Sequence, residues 1–254
     1  MNDTGEENIK LDGCFRRTCE IVLREDVGGL HEFEGFLRRY TVPLQRTISD
    51  ISGKDIHYSK EYTKNARFLS LDEIGKMNVE PLNPNDIKDI DGLLNAAAER
   101  FYYAGNKITG NSRGVIESDG CVDVVNVLQS HQIYNCENVA YCQMLITGKF
   151  MFGCSWSEEN NFCINLIETY RASRCFESSY IANSRDMYFS YNCKDCNDMM
   201  FCFNLRSKKA CIGNNPLPKD RYIELKEKLL GEIAEMMRKK KRVPPLMALS
   251  TEAW

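Results

Sequence analysis

The chain reads as an α+β protein: a short right-handed parallel β-helix with coils of about 21 residues, an α-rich N-terminal region and a C-terminal capping helix. Three observations lead there. The first is a repeat: Cys121, Cys142 and Cys163 are evenly spaced, and Ser184 and Leu205 continue the step. Val124, Leu145, Leu166 and Met187 keep the same step, as do Val125, Ile146, Ile167 and Tyr188, and so do Cys154, Cys175 and Cys196. Rows that share one period mark a solenoid, in which like residues stack coil on coil. The second is composition. Asn, Ser, Cys, Tyr and Phe dominate the repeat, where a helical repeat would favour Ala, Glu, Lys and Leu. The third is amphipathic periodicity on both sides of the repeat.

Residues 1–13 are polar and acidic and are expected to form a mobile leader. From Cys14 to about Ile51 the pattern is helical, with Leu30, Phe33, Leu37 and Tyr40 on one face. Pro43 kinks or ends that helix, and Leu44 and Ile48 extend its stripe. Ile56, Tyr58 and Tyr62 suit short strands. Ser70 and Glu73 are spaced as a capping box. The loop at 78–86 carries two prolines and marks an internal boundary. Asn85 or Asp86 can cap a helix through Tyr103, striped by Ile87, Ile90, Leu93, Leu94, Ala97 and Phe101 and ended by Gly105.

The expected organisation is thus an α-rich region at 1–84, a helix and linker at 85–117, the solenoid at 118–214, and a helix with a basic tail at 215–254. Coils fall near 119–139, 140–160, 161–181 and 182–202, with Asn126, Thr147, Glu168 and Phe189 as an outward row. The last helix, from Lys219 to about Lys241, lines one face with Tyr222, Leu225, Leu229, Ile233, Met236 and Met237. It, or the N-terminal region, would cover an open coil edge.

Hydrophobic residues make up 43% and charged residues 27% of the chain, which indicates a globular protein. The net charge of −3 gives no global reason to expect nucleic acid or an anionic membrane as main partner. No apolar run of about 18 residues suggests a membrane span. The polar start has no apolar signal core, so a cytoplasmic location is expected, or a virion if the gene belongs to a phage. Twelve cysteines are then expected as reduced thiols stacked in the coil interior.

One cysteine group invites chemistry. Cys193 and Cys196 form a CxxC, and Cys202 and Cys211 follow, so these four are the candidate zinc ligands. The wider spacing of the second pair leaves the zinc pattern incomplete, and inward packing is the competing reading. The acidic residues Asp123, Glu158, Glu159, Glu168, Glu177, Asp186 and Asp195 would matter to a glycan-cleaving solenoid only if two converged; otherwise they are solvated surface charge. His31, His57 and His131 are far apart, and no phosphate-binding loop or hydrolase elbow is present. The set of catalytic candidates is empty. The run Arg238 to Arg242 suits a helix C-terminus through the macrodipole, with a secondary nucleic-acid contact as its other reading. The apolar end of the chain suits a docking peptide.

In the stretch 192–222, Cys202, Asn204, Leu205, Arg206, Lys208, Cys211, Ile212 and Asn214 form a distinctive run before a basic helix. It resembles the end of a set of cysteine-rich repeat proteins of bacterial candidate phyla and phages. The resemblance covers the C-terminal coils only and implies a repeat fold; it implies no activity.

The favoured function is a non-enzymatic solenoid platform for protein association, a subunit of a larger assembly, contacting other proteins through the solenoid wall and C-terminal tail and engaging no membrane. One alternative is an enzyme acting on a glycan or other polymer at the outer face. The other is a zinc- or redox-responsive binding protein.

Overall fold

The computed structural model describes residues 3–77, 80–83, 88–134, 136–146, 151–155, 157–158, 161, 163–165, 169–170 and 174–249. Helix α1 spans Asp3–Leu23, α2 Glu34–Leu37, α3 Ile90–Ala98 and α4 Lys219–Lys240. An N-terminal layer holds strands β1 (Gln45–Ile48), β2 (Asp55–Tyr58), β3 (Phe68–Ser70) and β4 (Tyr103–Gly105). The solenoid follows: β5 (Ile108–Thr109), β6 (Arg113–Ile116), β7 (Asp119–Val122), β8 (Val125–Leu128), β9 (His131–Tyr134), β10 (Glu137–Val139) and β11 (Gln143–Ile146). It continues through β12 (Ser157–Glu158), β13 (Thr169–Tyr170), β14 (Arg185–Tyr188), β15 (Asn197–Met200) and β16 (Lys209–Ile212), and β17 (Asn215–Pro216) turns back. The ladder already begins at β5, upstream of residue 118, where Ile108 pairs with Cys121.

The fold is the expected β-solenoid with flanking helices, but its coil is shorter than the sequence spacing suggests. Successive parallel strands pair at a step of 12: Cys121 with Ile133, Val125 with Glu137, Met187 with Met199, and Met199 with Cys211. The reason for the difference is a finer period. Every third residue points inward, so a coil of 12 presents four inward positions. The longer sequence step advances one coil and three further sides, and so lands on another inward site. Cys121, Cys142 and Cys163 are all buried but sit on three different rows. A true row is Val127, Val139, Met151, Cys163, Cys175, Met187, Met199 and Cys211, all buried. Of the expected outward row, Thr147, Glu168 and the side chain of Asn126 lie outside the described residues, and Phe189 is buried.

Each side of the coil has one bridging residue, one left-handed residue and one inward residue. From Arg174 to Ala210 every third residue has positive φ, including Asn183, Asp186, Asn192, Asp195, Asp198 and Asn204. Asn and Asp adopt this region with the least strain among residues that have a Cβ, which explains their density in the repeat. The left-handed N–H donates to the bridging carbonyl of the previous coil, as Asn192 does to Ser179 at 3.0 Å. The bridging N–H donates to an inward carbonyl of the next coil, as Tyr191 does to Cys202 at 2.8 Å.

The inward N–H needs a different acceptor, and the small inward side chains supply it. Cys202 N donates to Ser190 Oγ at 3.3 Å, while that hydroxyl donates to the Tyr188 carbonyl at 3.0 Å. Cys196 N, Ser184 Oγ and the Ala182 carbonyl repeat the relay. Thiols serve too: Lys208 N donates to Cys196 Sγ at 3.4 Å, and that thiol donates to the Lys194 carbonyl at 3.2 Å. Inward Ser and Cys therefore do more than fit a narrow lumen. They satisfy main-chain groups that would otherwise be buried without partners.

One outer wall is apolar. Ala140, Phe152, Ile164, Phe176, Tyr188 and Met200 follow the coil step and are all buried. They pack against Leu11, Phe15, Cys19 and Val22 of α1 and Leu230, Ile233 and Met237 of α4. Phe15 meets Phe152 edge-on at 5.2 Å, and Tyr188 Oη donates to the Val22 carbonyl at 3.1 Å. The expected capping helix forms, and its buried face lies on this side wall. The edge of β16 is paired by β17. The buried stripe of α4 is rotated from the expected one: Tyr222, Lys226, Leu230, Ile233 and Met237 face inward, while Leu225 and Leu229 are half-buried. Lys226 fits because its ammonium lies 4.9 Å from the Tyr188 ring centre, and burial lowers its pKa.

Upstream, several expectations change. Residues 3–13 are helical, because α1 starts at Asp3 rather than near Cys14 and Leu11 packs in its buried stripe. The helical face at 30–40 forms as short turns around α2, and Gln45–Ile48 is a strand paired with β2, not a helical continuation. The capping box is present: Glu73 Oε2 accepts from Ser70 N at 2.8 Å. Helix α3 is capped by Asp89 and ends at Ala98; the cap candidates Asn85 and Asp86 lie outside the described residues. Gly105 sits in β4, where a Cβ would come within 2.3 Å of the Ile56 side chain and 2.7 Å of the His57 carbonyl.

Candidate functional site

Two rows flank the corner beside the covered wall. On the near one, Tyr141, Gly153, Asn165, Glu177 and Phe189 are buried, and Phe201 stacks on Phe189 with centroids 4.8 Å apart. Around the corner the last coils expose aromatic side chains: Tyr180 is 50%, Tyr191 36% and Phe203 55% exposed. Single exposed aromatics are common on surfaces; a run on successive coils beside a hollow is not. The hollow has a volume of about 410 Å³. Phe189, Tyr191, Phe201 and Phe203 form one side, and Leu246, Met247 and Leu249 form the other.

Glu177 lies under this groove and is fully buried. Its carboxylate accepts from Tyr40 Oη at 2.7 Å, Leu246 N at 2.9 Å and Asn165 Nδ2 at 3.0 Å. Arg39 Nη1 is 3.7 Å away. Burial pushes the carboxyl up to about 7, against the opposing pull of Tyr40, Leu246, Arg39 and Asn165. Gly153 leaves room for Asn165, whose Oδ1 would lie 2.4 Å from a Cβ there. Sequence reasoning places Glu177 among solvated surface charges and Tyr40 on a helix face. The missing signal is the true coil step, which stacks Gly153, Asn165 and Glu177 beside the apolar row.

The other expected acids scatter. Asp186 is 3.9 Å from Arg174, and Asp123 accepts from Asn111 N, far along the solenoid. Asp195 accepts from Asn183 on its own wall. No two of these described carboxylates converge; Glu159, Glu168 and the side chain of Glu158 lie outside the described residues. Two further hollows, of about 360 and 310 Å³, adjoin the N-terminal layer, and both touch His57 and Glu117. Their cations are already answered: Lys54 by Asp72, Arg46 by Asp55 and Arg38 by Glu34. His131 is buried with Nε2 2.7 Å from the Val42 carbonyl, and it stands one coil above Asp119, which pairs with Lys107 at 2.7 Å.

Cys193, Cys196, Cys202 and Cys211 all point into the lumen, from four different sides. Each thiol donates to the carbonyl two residues earlier. Burial raises the thiols of Cys193 and Cys211 and pushes Cys202 up to about 11. A zinc ion would need these thiols to ionise and leave their carbonyls together, so the donor set fits the coil better than a metal. In the basic run, Arg238 pairs with Glu25, Lys239 with Glu235 and Lys241 with Glu32. Helix α3 has no buried residue, and Ile90 and Leu94 are 65% and 59% exposed. Among the described residues no helix is long and apolar enough to cross a membrane.

No protein-family model, curated protein or solved structure matches this chain.

Proposed function

We propose that the protein is a non-enzymatic platform for protein association, and that its partner docks on the solenoid wall at the aromatic groove of the last coils. The observation that carries this reading is the exposed aromatic run of Tyr180, Tyr191 and Phe203 beside the hollow closed by Leu246, Met247 and Leu249. The covered wall supplies the precedent. There the same coil step presents an apolar row, and two amphipathic helices of the chain itself lie on it. A partner bringing an apolar helix or extended segment would meet similar chemistry at the groove.

The polymer-cleaving alternative has less support, since the described carboxylates do not converge. The zinc or redox alternative would draw on thiols already committed to the ladder. A nucleic-acid contact at Arg238 to Arg242 is a lesser proposal, because three of those five side chains answer carboxylates.

The test is capture from native extract with the full chain as bait, compared with Tyr191→Ala/Phe203→Ala. A specific protein retained by the native bait and lost with the double variant supports the platform. Equal retention by both moves the docking surface elsewhere, and α3 is the next candidate.

A further inference from the structure

We infer that residues 243–249 form a strap, latched by Glu177, that controls access to the aromatic groove. This deepens the platform reading and rests on it for the identity of the groove. Pro244 and Pro245 lack N–H groups, so Leu246 carries the first available amide donor after Val243. That amide donates to Glu177 Oε1 at 2.9 Å. On the other side of the two prolines, the Val243 carbonyl accepts from Arg39 Nη2 at 3.1 Å. The Pro-Pro unit is thus pinned at both ends, by a residue of the solenoid and by one of the N-terminal segment.

Beyond the pins the contacts thin out. Val243 is buried, while Met247 is 51% and Leu249 39% exposed. Leu246, Met247 and Leu249 nevertheless form the second side of the hollow opposite Phe189, Tyr191, Phe201 and Phe203. A partner segment needs either the space beside this strap or the space under it. Val243 and Leu246 pack against the core, whereas the exposed side chains past the Leu246 anchor, Met247 and Leu249, are the physical marks of a segment end that opens locally, ahead of global unfolding. Glu177 suits the latch because the same carboxylate also accepts from Tyr40 and Asn165, so its position is fixed from both layers before the strap arrives.

The experiment compares the full-length native protein with Glu177→Ala and Leu246→Pro. The first removes the acceptor. The second removes the strap's donor together with the Leu246 side chain and leaves Glu177, Tyr40 and Asn165 in place, which guards against a variant that fails to fold. Amide exchange of Met247 to Leu249 is expected to quicken by about tenfold or more in Leu246→Pro, the size expected for losing one hydrogen bond to a buried carboxylate, while α4 stays protected. Anilinonaphthalene sulfonate, as an apolar probe of the groove, is expected to bind more strongly in the same variant. Exchange at native rates in Leu246→Pro overturns the strap. Faster exchange with unchanged dye binding overturns its control of the groove. Failure of the groove reading itself looks different: dye binding to the native protein would then be insensitive to Tyr191→Ala/Phe203→Ala.

Discussion

The covered wall and the aromatic wall are built on one backbone and behave differently. Both repeat at the same coil step, and both use the same alternation of bridging, left-handed and inward residues. On the first, Phe152, Ile164, Phe176 and Met200 are closed over by α1 and α4. On the second, Tyr191 and Phe203 are partly in solvent and, among the described residues, a short strap lies beside them. The backbone ladder therefore does not decide which wall is core. The side chains of the outward positions decide it, together with whether the chain has an amphipathic helix within reach.

The largest effect should come from breaking the covered wall. Phe152→Ala or Phe176→Ala is expected to cost about 3–5 kcal/mol in chemical denaturation, because each ring is fully buried between coil and helix. Phe203→Ala on the open wall serves as the contrast.

Next in size is pH. Glu177 has its pKa raised by burial to about 7, so the folded state holds this proton more tightly than the unfolded chain does. Its contribution to stability is complete below about pH 4.5 and is lost as pH rises through about 7, a difference of about 3 kcal/mol at most. Thermal melts from pH 5 to 8 should show that fall, and Glu177→Gln should flatten it.

A smaller effect tests the ladder that the two walls share. Ser190→Ala removes the acceptor for Cys202 N and is expected to cost about 1–3 kcal/mol, read by denaturation. Ser190→Cys should recover most of it, since thiols fill the same role elsewhere. In the same spirit, the lumen thiols should react with a disulfide reagent only after unfolding, with half-buried Cys14 the first to respond.

The smallest effect sharpens the contrast most. Phe203→Ala should change stability by no more than about 0.5 kcal/mol, because the ring is 55% exposed. The same substitution combined with Tyr191→Ala should abolish partner capture. A large loss of stability there would make the aromatic wall part of the core and remove the reason to read it as a docking surface.

Local chemistry is enough to read a solenoid at 118–214, a helix from Lys219 to about Lys241 and a capping box at Ser70 and Glu73. Stacked small and apolar residues, an amphipathic stripe and a reciprocal pair of hydrogen bonds each leave a mark in the sequence itself. The inward rows leave no mark of coil length, because any multiple of three brings one inward residue onto another; the outward apolar row Ala140, Phe152, Ile164, Phe176, Tyr188 and Met200 does carry the step. The pairing of Met187 with Met199 and Met199 with Cys211 fixes the step at 12. The same selection turns Glu177 from one surface acid among several into a buried carboxylate held by Tyr40, Asn165 and Leu246. Those partners lie 137, 12 and 69 residues away in the chain, a convergence that no local pattern encodes and that packing of the helices, coil and tail alone creates.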